Sequence, residues 1–173
     1  MPVEPAFEKA KAAHQAAVQS YLRAAAAVPE AQWNTPRRPG AWSPAQITEH
    51  LRLSYDMLGG EIAGGVGLRV RTSWWQRLIV RFKFLPGILE HGTIPPGART
   101  PSELRPGEGP FPRDESLAAL TSRAASCEAA LGSRWNEPGA YATHHVFGRL
   151  TPKEILRFAA VHAEHHAAQL TSR

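Results

Sequence analysis

The stretch Thr151-Pro152-Lys153-Glu154-Ile155-Leu156-Arg157-Phe158-Ala159-Ala160-Val161-His162-Ala163-Glu164-His165-His166-Ala167-Ala168-Gln169-Leu170 decides the reading of the whole chain. Its first four residues form a capping box with proline at the first helical position, which fixes a helix start at Thr151. At about 100° per residue, with Ile155 as zero, His162 falls near −20° and His166 near +20°. Both therefore straddle the middle of the apolar face that Ala159 and Leu170 extend. His165 falls near −80°, at the edge of that face, and Glu164 points the other way, toward water. Two imidazoles at i and i+4 stand one above the other and can meet one ion. Neighbouring buried imidazoles are hard to satisfy otherwise, because their cationic forms repel and each ring has two nitrogens to partner. The competing readings are a decorative surface pair or hydrogen-bonded core histidines. The segment is not the H-E-x-x-H sequence of zinc peptidases, since Ala163 stands where that motif has glutamate.

Working outward, three more segments show helical periodicity. The first runs from about Pro5 to Val28, with Phe7, His14, Val18, Tyr21 and Ala25 on one stripe. The second opens with Ser43-Pro44-Ala45-Gln46, another capping box, carries Ile47, Leu51 and Leu58 inward, and is expected to stop at Gly59-Gly60. The third spans about Asp114 to Gly132, with Leu117, Leu120, Ala124, Cys127 and Leu131 inward. The expected fold is all-α. His50, about 60° from Ile47 on the second helix, is the natural third metal ligand, the alternative being a satisfied boundary histidine. His14 reads as a residue that supports the site or lines a pocket, or as a core or dimer-interface residue. His145, just before the last helix, could orient water or substrate, against the alternative of capping its loop.

Between the second and third helices lies a long insert, Gly64 to Pro112, with a short helix expected at Ser73 to Phe84 and then a loop rich in proline and glycine, through Pro95-Pro96-Gly97 and Pro106-Gly107. A long loop in a small domain is usually a lid, a binding loop or an interface. Between Glu61 and Glu90 stand Arg69, Arg71, Arg77, Arg81 and Lys83 and no acid, and the formal charge of the chain is +5. Basic residues interleaved with Trp74, Trp75, Phe82 and Phe84 can attract nucleic acid or anionic membranes. The plainer reading, adopted here, is a helix packed on the domain by its aromatics with a solvated basic face. Neither nucleic acid nor a membrane is then expected as partner, and Trp74, Trp75 and Phe82 are the candidates for a homodimer contact.

A chain of 173 residues fits one domain, since roughly 150 residues can already bury about 70% of the unfolded surface. The single cysteine, Cys127, excludes an intramolecular disulfide framework, and without a charged-then-apolar leader the chain reads as a reduced, cytoplasmic protein. The most apolar run, Leu78 to Leu89, is broken by Arg81, Lys83, Pro86 and Gly87, so no transmembrane span is expected.

Trp42-Ser43-Pro44 leading to His50, together with His162-x-x-His165-His166-x-x-Gln169-Leu170, resembles the DinB/YfiT-like superfamily of metalloenzymes. His145-Val146-Phe147-Gly148-Arg149-Leu150 resembles one uncharacterised-domain branch of it, with Val146 in place of that branch's usual proline. The resemblance covers most of the chain and implies one domain over residues 1–173, a four-helix bundle with a long insert between helices 2 and 3. It also implies a divalent metal on His50, His162 and His166. Three neutral imidazoles leave a coordination position open, which suits zinc or nickel, and such an ion can lower the pKa of bound water toward about 7 or bind a thiol as thiolate. Hydrolysis and thiol transfer are thus both accessible. The resemblance favours a thiol-dependent S-transferase acting on a small molecule; a low-molecular-weight thiol would want an anion-binding wall, which Arg69, Arg71, Arg77 or Arg81 in the insert could supply near the pocket mouth, although the sequence does not place them there. Hydrolysis is the less favoured class because it wants a general base beside the metal and no carboxylate is expected to face the core, Glu49 and Glu164 both pointing away from it. A non-catalytic bundle binding a metal and an apolar ligand, as a stress protein would, is the third class, and a fourth ligand such as His14 or His145 would mark it.

Overall fold

A computed structural model describes residues 4–95 and 99–171, so Pro96, Gly97 and the last two residues of the expected terminal helix lie outside the described residues. The architecture is mostly helical. α1 (Pro5–Ala26) is followed by the single turn α2 (Glu30–Trp33), then α3 (Pro44–Ile62). The insert forms α4 (Trp74–Lys83), α5 (Leu85–His91) and a 3-10 turn at Ser102–Leu104. α6 (Arg113–Ser133), an antiparallel hairpin of β1 (Ala142–His144) and β2 (Gly148–Leu150), and α7 (Pro152–Thr171) complete the chain.

Both expected capping boxes are formed. The Gln46 amide donates to Ser43 Oγ at 3.2 Å while the Ser43 amide donates to Gln46 Oε1 at 3.0 Å. In α7 the Thr151 amide donates to Glu154 Oε2 at 2.8 Å and the Glu154 amide returns to Thr151 Oγ1 at 3.3 Å. These caps satisfy backbone groups that a helix start otherwise leaves unpaired, so the rotational phase of α3 and α7, and with it the direction of their histidines, is fixed from the first turn. α1 packs along α7 and α3 along α6, around a core that includes Tyr21, Leu51, Leu120, Leu131, Ile155 and Leu156.

Three expectations are corrected. α3 does not stop at Gly59-Gly60 but continues to Ile62, because Ile62 is buried, its carbonyl accepts from Arg134 Nη1 at 2.8 Å, and Gly59 packs closely on the Cys127 backbone of α6. The insert does not pass from its helix straight into loop, since α5 follows at once and buries Leu85 and Ile88. Most consequential, α4 is not held by its aromatics. Trp74, Trp75 and Phe82 are 69%, 51% and 73% exposed, while Arg81 turns inward to Glu154 (3.0 Å) and the Arg149 carbonyl (2.6 Å). Arg77 crosses Gly148 so closely that a Cβ there would meet its Cδ at 2.6 Å, and Gly148 also has φ +73°, a conformation only glycine adopts readily.

Candidate metal centre

His50 enters from α3 and is buried; His166 enters from α7 and is buried; His162, one turn before it, is half-buried. Their Nε2 atoms converge. His162 Nε2 lies 3.2 Å from His50 Nε2 and 3.0 Å from His166 Nε2, and one nitrogen from each of the three rings lies within 4.8 Å of the others. The opposite nitrogens are held in place. His50 Nδ1 donates to the Leu104 carbonyl at 2.8 Å, and His166 Nδ1 donates to Gln169 Oε1 at 2.8 Å. Since those oxygens only accept, the protons sit on Nδ1, and the Nε2 lone pairs of both rings point at His162. Gln169 in turn donates from Nε2 to His165 Nε2 at 3.0 Å. The Trp42 ring, tilted at 5.0 Å from that of His50, covers the α3 side.

This donor set fits a divalent cation. Three neutral rings meeting lone pair to lone pair cannot satisfy one another with one proton, whereas one ion accepts from all three. A tetrahedral ion 2.0–2.1 Å from each nitrogen would hold its ligands roughly 3.3 Å apart, close to the separations present. Burial keeps the rings neutral: it pushes His162 well below the ordinary imidazole pKa, helped by His166 and His50, brings His166 down to about 3, and lowers His50. Among the described residues no fourth His, Cys, Asp or Glu joins the cluster.

The triad forms part of the wall of a cavity of about 670 Å³, a volume usual for small-molecule sites. Leu58 of α3 and Ile155 and Phe158 of α7 line it on one side, and Val80, Phe84 and Ile88 from α4 and α5 on another. No carboxylate is among its described lining residues. Arg38 and Arg99, both exposed, stand at its rim. The arginines expected there do not: Arg71 pairs with Glu103 at 2.9 Å, Arg81 with Glu154, and neither these nor Arg69 and Arg77 line the cavity. An arginine's reach is set by where its helix docks, which periodicity alone does not give.

A family model described as the DinB superfamily matches residues 13–170. The chain belongs to the DinB superfamily. No curated protein and no solved structure matches it.

Within this DinB chain the remaining histidines divide clearly. Loop capping falls to His144, whose Nδ1 accepts from the Val146 and Phe147 amides at 3.2 and 3.3 Å and whose pKa burial lowers to about 3. His145 lines the cavity beside His144 without capping the loop, and neither of its buried ring nitrogens makes a well-aligned hydrogen bond. Its pKa is lowered by burial, against a smaller opposing pull from the Arg99 backbone. His14 is neither a ligand nor a cavity residue. It lies in the core, donating from Nδ1 to Glu128 Oε1 at 2.6 Å and accepting at Nε2 from the Tyr55 hydroxyl at 2.7 Å. Glu128 is a buried carboxylate that corrects the expectation of none facing the core, although it lies apart from the cavity. Its neighbour Cys127 has its thiol pushed up to about 12 by burial and is no source of thiolate. Sequence reasoning also missed the Leu104 carbonyl and the bridging role of Gln169. For Gln169 a signal existed, three residues past His166 on the same helical face; for Leu104, fifty-four residues from His50, none did.

Proposed function

We propose that this DinB protein is a divalent-metal-dependent enzyme whose four long helices form the superfamily's bundle, and that its reaction is thiol-dependent S-transfer to a small, largely apolar substrate. The observation that carries the reading is the convergence of the Nε2 atoms of His50, His162 and His166 on the wall of a roomy apolar cavity, with no fourth protein ligand among the described residues to close the site. Zinc or nickel bound there would offer an exchangeable position at which a thiol or water is acidified. The chain's own contribution is to keep that position dry and to handle charge around it. Apolar walls from Leu58, Phe158 and Phe84 exclude water and strengthen each polar contact inside. Arg38 and Arg99 present positive charge at the rim for an anionic thiol. His145, which lines the cavity and which burial keeps neutral, can orient the thiol or the substrate beside the ion. Because Cys127 is buried and protonated, the thiol comes from outside the chain. The absence of a cavity carboxylate, among the described residues, supports transfer over hydrolysis, which would want a stronger base beside the ion.

Elemental analysis of untagged protein prepared without chelator, beside a His162→Ala, His166→Ala variant, tests the metal. About one ion per chain in the parent and none in the variant is expected, since each ligand is needed for a three-nitrogen site. Parent and variant equally empty after incubation with zinc and nickel would sink the proposal. Addition of cysteine to the cobalt-loaded parent tests the chemistry. A thiolate-to-cobalt absorption band supports transfer, and an unchanged spectrum leaves the thiol reading without its first step.

A further inference from the structure

α4 docks by its charged side and turns its largest apolar side chains outward. With Trp74 at zero on a helical wheel, Trp74, Leu78, Phe82, Trp75 and Ile79 fill an arc of about 140°. All five are exposed, from 46% at Leu78 to 73% at Phe82, and Val66, earlier in the insert, is 90% exposed. The opposite side carries Val80 and Phe84, which line the cavity, and Arg77 and Arg81, laid against the hairpin and α7. Nothing among the described residues covers the outer face, and an apolar patch of this kind on a small domain marks a binding surface.

Charge selects the occupant. From Ile62 to Leu89 the chain has five basic residues and no acid; Arg71 and Arg81 are paired with Glu103 and Glu154 elsewhere in the fold, which leaves Arg69, Arg77 and Lys83 to face a partner. Lys83 is exposed and lies at one edge of the apolar arc, at about 180° on the same wheel, whereas Arg77, at about 300°, is laid against Gly148. A second copy packed on this face would set those cations against their own images, with no acid in the stretch to answer them. Anionic headgroups would answer them, and long basic side chains at the edge of an apolar face reach such groups easily. Trp74 and Trp75 suit the same boundary, where an apolar ring and a polar N–H are satisfied together. A ten-residue helix, about 15 Å long, is too short to span a bilayer, and no described helix is long and apolar enough to do so.

We propose that α4 lies in the headgroup–acyl boundary of an anionic lipid bilayer, inserting Trp74, Trp75, Leu78, Ile79 and Phe82. The other side of this helix walls the cavity, so docking would bring the cavity close to the bilayer surface and to apolar ligands dissolved there. The inference uses α4 alone and stands whether or not the histidines hold metal.

Flotation of the full-length protein with vesicles of phosphatidylglycerol and phosphatidylcholine, beside vesicles of phosphatidylcholine alone, provides the test. The expected result is co-flotation with the anionic vesicles, at least about tenfold weaker binding to neutral ones, and quenching of tryptophan fluorescence by brominated acyl chains. Trp75→Ser with Phe82→Ser should reduce binding about tenfold or more, with circular dichroism unchanged because both side chains are exposed. Lys83→Glu should weaken anionic binding alone. No flotation with anionic vesicles, or flotation indifferent to Trp75→Ser/Phe82→Ser, overturns the proposal. So does light scattering that finds a dimer for the parent and a monomer for that variant, because the face would then belong to a second copy.

Discussion

Gln169 occupies the position at which a single hydrogen bond decides what His166 can do. Its Oε1 accepts from His166 Nδ1 and so keeps the Nε2 lone pair directed at His162. Gln169→Leu should leave α7 helical while freeing the ring to rotate and change tautomer. Loss of such a supporting partner typically weakens metal affinity about 10- to 100-fold, and competition with a chromophoric chelator would measure it. An unchanged affinity would mean that packing alone orients His166. Burial of the histidines has a second consequence, for pH. His166 and His144 are each lowered to about 3, whereas an unfolded imidazole titrates near 6.5. Between those values the unfolded chain binds more protons, so the stability of metal-free protein is complete above about pH 6.5 and is lost as pH falls toward 3. At about pH 5 each of the two histidines should cost roughly 2 kcal/mol. Urea unfolding with chelator at neutral and mildly acidic pH tests this, and a flat profile would show that these rings protonate without leaving the fold.

The elements carry their own test at the end of α3. Gly60 lies inside that helix with nothing within 4 Å of where its Cβ would be. Gly60→Ala should therefore raise stability by about 0.5–1 kcal/mol through helix propensity and a less flexible unfolded chain. A lowered urea midpoint would show that the glycine serves a conformation α3 needs. Gly59-Gly60 also shows where the sequence misleads. Two glycines read as a helix stop from local preference, but the decision is made by Ile62, Arg134 and the surface of α6, far along the chain. The four long helices and their inward stripes were legible because periodicity and capping boxes are local signals, and the same phase argument placed His162 and His166 side by side. The β1–β2 hairpin was not, because strands of three residues carry no measurable alternation. The outward turn of α4 was illegible for a different reason. Periodicity finds an apolar face without saying whether it looks in or out, and here Glu154 and the Arg149 carbonyl hold Arg81, while Gly148 gives Arg77 its place.

At the scale of the molecule, the buried histidines His14, His50 and His166 fall in two separate centres. The metal-type cluster joins α3 to α7; the second centre joins α1, α3 and α6 through His14, Tyr55 and Glu128, with Gln15 Nε2 donating to Glu128 Oε2 at 2.9 Å. His50 and Tyr55 both project from α3, so this helix takes part in each. If the division is real, the two centres fail separately. Glu128→Leu would leave the His14 Nδ1–H buried without an acceptor, and an unsatisfied buried donor costs about 1–3 kcal/mol. Its metal content should nevertheless match the parent at temperatures where both are folded. His14→Leu added to Glu128→Leu should recover part of the loss, because both buried polar groups are then gone, exposed Gln15 can turn to water, and Tyr55 is the buried residue of the network left without its partner. The His162→Ala, His166→Ala variant should show the reverse pattern, losing metal with a smaller change in metal-free stability. Unfolding midpoints and metal content on the same four proteins decide the matter. If Glu128→Leu also empties the metal site while still folded, α3 transmits strain from one centre to the other, and the His14–Glu128 pair positions His50 as well as stabilising the packing of α1, α3 and α6.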